Sequence, residues 1–420
     1  MLNMRHKKEI TAEVQARYKK ASKKQKKIIL DEFVELTNYN RNYASRVLRL
    51  CYGKQIGSII QRGRKIKYVI GKNRKSKRDK KRFYGDDVTV ILKKIWAILD
   101  MPCGKRLAPF IPEIILKLEA FGEIEMDSLT KQKLLNISTS TIDRLLKPIK
   151  EKLRIGKGRS FTKPGTLFKH QIPIKTFSDW GDSVPGYLEA DLVGHDGGNM
   201  QGDFCFSINF VDVATCWDET VAIKNKAQKW VTDAAEKVRV RLPFEMLGID
   251  SDNGSEFINN HFFAYCSDHK ITFTRSRAYK KNDSCFVEQK NYCVVRKAVG
   301  YLSYDTEEEL ATLNELYGYL RLYINFFIPV RKCLSKTRTG SKIKKNYDDA
   351  KTPYRRVLEC IGIDDKIKAK LRIAYDGLNP AELKRKITSC QDKLLKLNAL
   401  KQQVSIDSIG ELKSSSDCTY

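Results

Sequence analysis

Apolar residues recur at helical spacing in the first fifty residues, where Ile28, Ile29 and Phe33 share one face. A polar stretch at 37–40 follows, and a short basic helix is predicted around 41–50. Two helices joined by a tight turn predict a helix-turn-helix that contacts DNA in residues 1–60, with an ordinary helical hairpin and a solvated basic face as the alternative. Its candidate DNA-binding residues are Arg41, Arg46 and Arg49.

A second helical pattern covers residues 86–155. A Ser/Thr-rich turn lies inside it, with Ser138 or Ser140 as the N-cap of the next helix and Pro148 as its stop. The layout is similar to a helix-turn-helix, and packing without DNA contact is nearly as well supported.

The periodicity changes to that of β-strands near Gly186. Runs of β-branched and aromatic residues occur at 186–193, 203–213 and 216–223, and strands alternating with helices follow. Residues 180–330 therefore predict an α/β domain in which helices pack on a mixed sheet, closed by a helix at 305–327.

The sequence pattern over 335–420 predicts basic helices that are followed by a polar tail. One helix begins with Asn379 as N-cap and Pro380 in its first turn. Its apolar residues recur at intervals of four and three, which favours packing onto the chain's own body and leaves pairing of two chains as the alternative. These residues are Leu383, Ile387, Cys390, Leu394 and Leu397.

The 420 residues carry a formal net charge of +29, of which residues 1–170 hold +26, residues 171–300 hold −3 and residues 301–420 hold +6. A basic flank beside a near-neutral middle is typical of a chain that grips a polyanion. Residues 61–85 form a basic linker or arm whose favourable partner is phosphate, the alternative being a solvated linker. Its candidate DNA-binding residues are Arg74, Lys75, Lys77 and Arg78.

Other protein classes are disfavoured. No apolar run is long enough to span a membrane, and the first ten residues lack the apolar core of a secretion signal. The eleven cysteines show no disulfide framework and the histidines are too sparse for structural zinc. We expect a cytoplasmic protein, associated with the nucleoid when bound to DNA.

Three carboxylates lie where strands end or a helix exposes one face. Asp191 lies in the strand 188–193, Asp252 follows the strand ending in Ser251, and Glu288 lies in a predicted helix. Carboxylates that converge form a hard oxygen site suited to Mg²⁺ or Mn²⁺. Residue spacing alone leaves Asp250 as an equal candidate.

The sequence motifs that contain these three carboxylates resemble those of a known family. Asp191, the DNGSEF word at 252–257, and Glu288 thirty-five residues further on within SRAYKKNDSCFVEQKN (276–291) are similar to the DDE-type core of retroviral integrases and bacterial insertion-sequence transposases. The resemblance covers about 180–330 strongly and the KTPYRRVLE segment (351–359) loosely. The zinc module of the retroviral relatives has no counterpart in this sequence.

The resemblance implies a ribonuclease-H-like fold and a DDE-type polynucleotidyl transferase that uses two Mg²⁺ or Mn²⁺ ions. Asp191 would ligate both ions, and Asp252, which matches the family word where Asp250 does not, would hold one, as would Glu288. The implied partners are DNA, as element ends and target, and further copies of this chain in a homo-oligomer.

Basic residues surround the predicted acidic site. They would place phosphates against the ions, although a plain charge-balancing loop is the alternative. They are Arg275, Arg277, Lys280, Lys281 and Lys290.

The predicted function is therefore metal-dependent cleavage at element ends followed by strand transfer from the freed 3′-hydroxyl. Two alternatives stay open. One is a DNA-binding protein that keeps the scaffold without catalysis, and the other is a structure-specific nuclease with the same metal chemistry.

Overall fold

The computed structural model of the chain describes residues 3–49, 55–61, 64–69, 83–153, 184–199, 201–251, 254, 256–275, 285–339 and 342–416. The chain divides into two compact units, which we call the N-terminal unit (Met1–Phe83) and the main unit (Tyr84–Tyr420). Among the described residues, no helix is both long enough and apolar enough to cross a lipid bilayer.

The N-terminal unit contains helices around a small apolar core. Ser22 caps the second helix through a capping box, and Asn38 ends it in the left-handed conformation. Phe33 is fully buried, whereas Ile28 is exposed. A β-hairpin, which the sequence did not predict, follows the third helix, so the basic linker predicted over 61–85 includes a strand. The elements are α1 (Met4–Lys20), α2 (Lys23–Thr37), α3 (Arg41–Arg49), β1 (Gln55–Gln61) and β2 (Arg64–Val69).

Short helices open the main unit. Ser138 is the N-cap of the last of them and accepts a hydrogen bond from the Thr141 amide. Pro148 was predicted to stop this helix and instead lies inside it. The fully buried Ile142 and Leu146 before the proline and the partly buried Ile149 after it pack in one core, which holds the helix in place. The helices are α4 (Asp86–Ile98), α5 (Gly104–Leu107), α6 (Ile111–Ala120), α7 (Ser128–Leu135) and α8 (Thr139–Lys152).

In the described part of the main unit, five strands form the central sheet in the order β5-β4-β3-β6-β7. β4 pairs antiparallel with both β3 and β5, and β6 and β7 run parallel to β3. This mixed α/β sheet with helical flanks confirms the predicted ribonuclease-H-like fold class. The strands are β3 (Tyr187–Gly194), β4 (Phe206–Asp212), β5 (Asp218–Ile223), β6 (Gly248–Ser251) and β7 (Thr272–Arg275).

One face of the central sheet is apolar and is covered by two helices, α9 (Gln228–Arg241) and α10 (Asn260–Asp268). Alternate residues of each strand point to this face, as the period of two requires. Each large apolar side chain that is fully buried there contributes about 1.5–3 kcal/mol. The strand residues of this core are Leu188, Ala190, Ile208, Phe210, Val221, Ile223, Ile249 and Phe273.

The opposite face of the sheet is polar and yet buried. It packs against a helix that begins at Cys285 and against α13 (Glu307–Phe327). The helix from Cys285 has three parts, which are α11 (Cys285–Lys290), a π-helical segment (Asn291–Arg296) and α12 (Lys297–Val299). At one place on this face His195 Nε2 lies 2.7 Å from Ser207 Oγ, which lies 2.6 Å from Tyr317 Oη.

Burial and the nearby Arg296 charge lower the pKa of His195 to about 3. Below about pH 6.5 the unfolded chain binds a proton at His195, whereas the folded chain does not. The free energy of unfolding therefore has its full value above that pH and decreases as the pH falls. Between pH 7 and pH 5 the decrease due to His195 is about 2 kcal/mol. We expect His195→Gln to shrink the pH-dependent loss of stability by this amount, whereas His261→Gln, at an exposed histidine, keeps the wild-type loss.

The measurement is urea unfolding at both pH values, followed by tryptophan fluorescence. All four tryptophans lie in the main unit, so the signal reports that unit. An unchanged pH dependence in His195→Gln would contradict the prediction.

The C-terminal region contains a β-hairpin before its helices, so the helical region predicted over 335–420 begins with strands instead. The helix N-cap at Asn379 is confirmed, with Asn379 Oδ1 accepting hydrogen bonds from two backbone amides. The predicted apolar seam of this helix packs within the chain, chiefly against α13. The elements are β8 (Cys333–Thr339), β9 (Lys342–Tyr347), α14 (Pro353–Glu359), α15 (Asp365–Gly377) and α16 (Pro380–Ser416).

Candidate active site on the polar face of the sheet

Asp191 lies on β3 at the polar face and is partly exposed. Its Oδ2 accepts a hydrogen bond of 2.6 Å from Asn291 Nδ2, at the start of the π-helical segment. Asn291 Oδ1 accepts one of 3.2 Å from Asn209 Nδ2, and Asn209 Oδ1 accepts one of 3.0 Å from Thr220 Oγ1. This chain of polar side chains fixes the orientation of Asp191, because each amide is held on both of its ends.

The strand register explains why these side chains meet. Asp191 pairs with Asn209, and Asn209 pairs with Thr220, so the three residues form one row across β3, β4 and β5. Residues that pair directly across neighbouring strands point to the same face of a sheet. The row therefore presents one carboxylate, one amide and one hydroxyl to the helix above it.

The register also relates Asp191 to β6. Ala190, the residue before Asp191, pairs with Ser251, the residue before Asp252. Asp252 itself lies outside the described residues. The two aspartates thus directly follow paired residues on neighbouring parallel strands.

Glu288 lies on α11 and its side chain is exposed. It precedes Asn291 by three residues, which is the spacing of neighbours on one helix face. The backbone amide of Val287 donates a hydrogen bond of 2.9 Å to Glu189 Oε2 on β3, which ties the first turn of α11 to the same strand as Asp191. Arg296 donates to the Gly194 carbonyl oxygen at 2.9 Å and ties the far end of the π-helical segment to β3.

Two other carboxylates on this face have structural roles. Glu189 is 2 % exposed and accepts the Val287 amide, and Asp250 is 2 % exposed and accepts a hydrogen bond of 2.6 Å from Thr274 Oγ1. Such buried acids are compensated by donors within the fold. They are therefore less suited than the partly exposed Asp191 to meet a ligand from solvent.

The N-terminal unit places its three candidate DNA-binding arginines together on α3. Arg41, Arg46 and Arg49 are all exposed, while Ala44, Val47 and Leu48 on the other side of the helix are buried. Arg41 forms an ion pair with Asp31, and the Arg46 guanidinium lies 5.6 Å from the centre of the Tyr43 ring. The helix therefore presents a basic surface, as a DNA-contacting helix requires.

Two basic residues near the acidic site are buried instead. Arg275 is 8 % exposed, and so is Lys290, whose Nζ lies 3.3 Å from Asp218 Oδ2. In this conformation neither side chain is offered to a phosphate group, and Lys290 serves the fold as half of a buried ion pair. The other predicted DNA-binding residues lie outside the described residues, namely Arg74, Lys75, Lys77, Arg78, Arg277, Lys280 and Lys281.

Within the described part of the chain, no three histidine, cysteine or carboxylate side chains are grouped as ligands of a metal ion. Of the predicted triad, the described residues include Asp191 and Glu288.

Sequence reasoning missed Asn291, Asn209 and Thr220. The period-two pattern of β4 and β5 contains a usable signal, because Asn209 and Thr220 alternate with the apolar residues of the other face. Asn291 also lies three residues after Glu288, within the VEQKN word.

The fold and this site define a ribonuclease-H-like α/β protein with a carboxylate-bearing sheet face. No family model matches the chain. The uncharacterized protein y4rM of Sinorhizobium fredii (strain NBRC 101917 / NGR234) is 35% identical over 355 residues, which cover 84% of this chain and 96% of that protein. The chain therefore belongs to the same family as y4rM.

Similar solved structures include retroviral integrases. The catalytic core domain of BIV integrase is 18% identical, covers 41% of this chain and 94% of its own, and has a TM-score of 0.29. The HTLV-2 integrase catalytic core domain, in complex with magnesium, is 14% identical, covers 35% and 91%, and has a TM-score of 0.27. The simian T-cell lymphotropic virus intasome, in complex with PP2A regulatory subunit B56 gamma, is 16% identical, covers 57% and 72%, and has a TM-score of 0.29.

Proposed function

We propose that this protein is a DNA transposase that cleaves DNA at element ends and joins the freed 3′-hydroxyl to target DNA. The observation that carries the proposal is the placement of Asp191. The Asp191 carboxylate is partly exposed and accepts a hydrogen bond from Asn291, which lies on the same helix as Glu288. Ala190, the residue before Asp191, pairs with Ser251, the residue before Asp252. A carboxylate held in this way is suited to a divalent cation.

Asp191, Asp252 and Glu288 would hold two Mg²⁺ or Mn²⁺ ions. Their oxygen atoms are the ligands that both metals prefer. The bound ions would activate the attacking oxygen and stabilise the leaving oxygen of a phosphodiester. The chain itself contributes orientation, since the hydrogen-bonded row from Thr220 to Asp191 sets one ligand before any ion arrives.

DNA would be gripped by the basic first part of the chain. The exposed arginines of α3 face outward together, and the residues up to 170 carry a net charge of +26. Each phosphate that they neutralise releases a counterion and strengthens binding at low salt. Two element ends have to be held together for coupled transfer, so we propose that the protein acts as a homo-oligomer.

The test is an assay on labelled DNA that carries the element's own ends, with Mg²⁺, with Mn²⁺ and with neither. Metal-dependent cleaved and joined products support the transposase. Nicks without joined products support the structure-specific nuclease. Tight binding without cleavage or joining under either metal supports the silent DNA-binding protein.

Asn291 acts as a positioning residue in this proposal. Removing a group that orients a metal ligand typically costs about 10- to 100-fold in metal affinity or activity. We therefore expect Asn291→Ala to need more Mg²⁺ for half-maximal activity and to lose activity in that range. The measurement is product formation across a Mg²⁺ titration.

Asn314→Ala is the matched control, because Asn314 bonds the β5 backbone at Ala222 and lies away from Asp191 in the register. The control is expected to keep the wild-type Mg²⁺ dependence. Equal Mg²⁺ dependence in wild type and Asn291→Ala would contradict the positioning role.

A further inference from the structure

The hairpin of β8 and β9 forms a two-stranded ribbon of its own. Among the described residues, neither of its strands pairs with the central sheet. A lone ribbon of this kind is marginally stable in water. Residues 333–347 hold five basic side chains and no acidic one. We call this segment the basic ribbon.

The base of the basic ribbon is anchored. Arg331 lies with its guanidinium 5.1 Å from the centre of the Tyr347 ring and donates to the Asp348 carbonyl oxygen at 2.9 Å. The Asp348 carboxylate accepts the Lys332 amide at 2.6 Å and pairs with Arg356 at 2.7 Å. The ribbon is therefore held at its base, so that little orientational freedom remains to be lost when it binds a partner.

The exposed lysines of β9 are available to a partner. Lys344 and Lys345 are both exposed, and within the part of the chain that the structure describes neither takes part in an ion pair. Because successive residues of a strand point to opposite faces, these two lysines place positive charge on both faces of the ribbon.

We propose that the basic ribbon lies in the major groove of duplex DNA, where its exposed lysines contact backbone phosphates. The inference rests on the proposed function, from which it takes DNA as the partner. The major groove admits a two-stranded β-ribbon. A strand of seven residues spans about 23 Å, which is about two thirds of the roughly 34 Å that DNA rises along its axis in one turn. Lysines that only protect the ribbon edges from aggregation are the rival explanation.

The experiment measures binding of the full chain to a labelled mixed-sequence DNA duplex over a range of salt concentrations. The variant is Lys344→Ala with Lys345→Ala. Loss of two phosphate contacts reduces the slope of log affinity against log salt by about 1.8. The matched control, Lys366→Ala with Lys370→Ala, removes the same charge from exposed positions of α15 and is expected to keep the wild-type slope.

Groove placement has its own readout. Wild type is expected to protect guanine N7, which lies in the major groove, from methylation, and the alanine variant is expected to lose this protection. Lys344→Arg with Lys345→Arg keeps the charge and should keep the slope. A slope that falls equally in the α15 control, or is unchanged in the ribbon variant, overturns the inference, and so does a fall without any guanine protection.

The result also separates this inference from the proposed function. If the wild-type chain binds duplex DNA and the ribbon variant binds with the same slope, the ribbon inference alone fails. If the wild-type chain binds no duplex DNA, both fail. Cleavage and joining by the wild type are measured independently of the ribbon.

Discussion

Asp191→Asn is expected to lower the formation of cleaved and joined DNA by about a thousandfold or more while leaving DNA binding intact. The amide keeps the shape of the side chain but removes the negative charge that would hold the ions. A bound metal ion supplies several kcal/mol of transition-state stabilisation, and each 1.36 kcal/mol is a factor of ten in rate. Asp252→Asn and Glu288→Gln are expected to have losses of the same order, because each would remove a ligand of one ion.

Glu256→Gln is the matched control. Glu256 belongs to the same DNGSEF word, and its carbonyl oxygen accepts a hydrogen bond from Asn259, which caps α10. Its side chain has no part in the proposed metal site, so product formation is expected to persist. Activity that survives in all three triad variants would remove the site assignment, and loss of DNA binding in each would point to misfolding instead.

Lys290→Met is expected to destabilise the main unit by about 3–5 kcal/mol at pH 7. Lys290 and Asp218 are both buried, and their charged atoms lie 3.3 Å apart. Removing the ammonium leaves the Asp218 carboxylate buried without its ion-pair partner. Burial raises the pKa of Asp218, against the opposing effect of the Lys290 charge. A carboxyl group with a raised pKa lowers the free energy of unfolding as the pH rises. The stability difference between Lys290→Met and the wild type is therefore expected to become smaller as the pH falls.

The double variant Lys290→Met with Asp218→Asn removes both charges and is expected to recover most of the loss. Urea unfolding followed by tryptophan fluorescence measures each variant at pH 7 and pH 5. Lys224→Met, in the exposed pair with Glu307, serves as the surface control and is expected to keep the wild-type unfolding midpoint. A double variant no more stable than Lys290→Met would contradict the role of the pair.

The fold class could be predicted because the pattern of the strands is local. β3, β4 and β5 show runs of β-branched and aromatic residues, and the structure places them within a few residues of the predicted bounds. The ribbon β8–β9 was missed because its strands are rich in lysine and threonine and lack an apolar face, so their pattern is that of a loop. The π-helical segment was missed because its hydrogen bonds depend on contacts with β3, and not on the sequence of the helix alone.

The candidate site could be predicted only in part. Asp191 and Glu288 were predicted from their motifs and spacing and remain a prediction, whereas the side chains that orient Asp191 come from three other segments of the chain. Lys290 was predicted to contact DNA because its charge is visible in the sequence. Its burial against Asp218 depends on how α11 packs on the sheet, which a one-dimensional pattern does not contain.

The two compact units have a consequence for how this family changes over generations. Tyr18, Phe33 and Leu48 form a core inside the N-terminal unit, and the cores of the main unit use other residues. Substitutions on the exposed side of α3 therefore leave the core residues of the main unit unchanged. Under the proposed function, the DNA sequence that α3 contacts could change between members of the family while the residues around Asp191 stay the same.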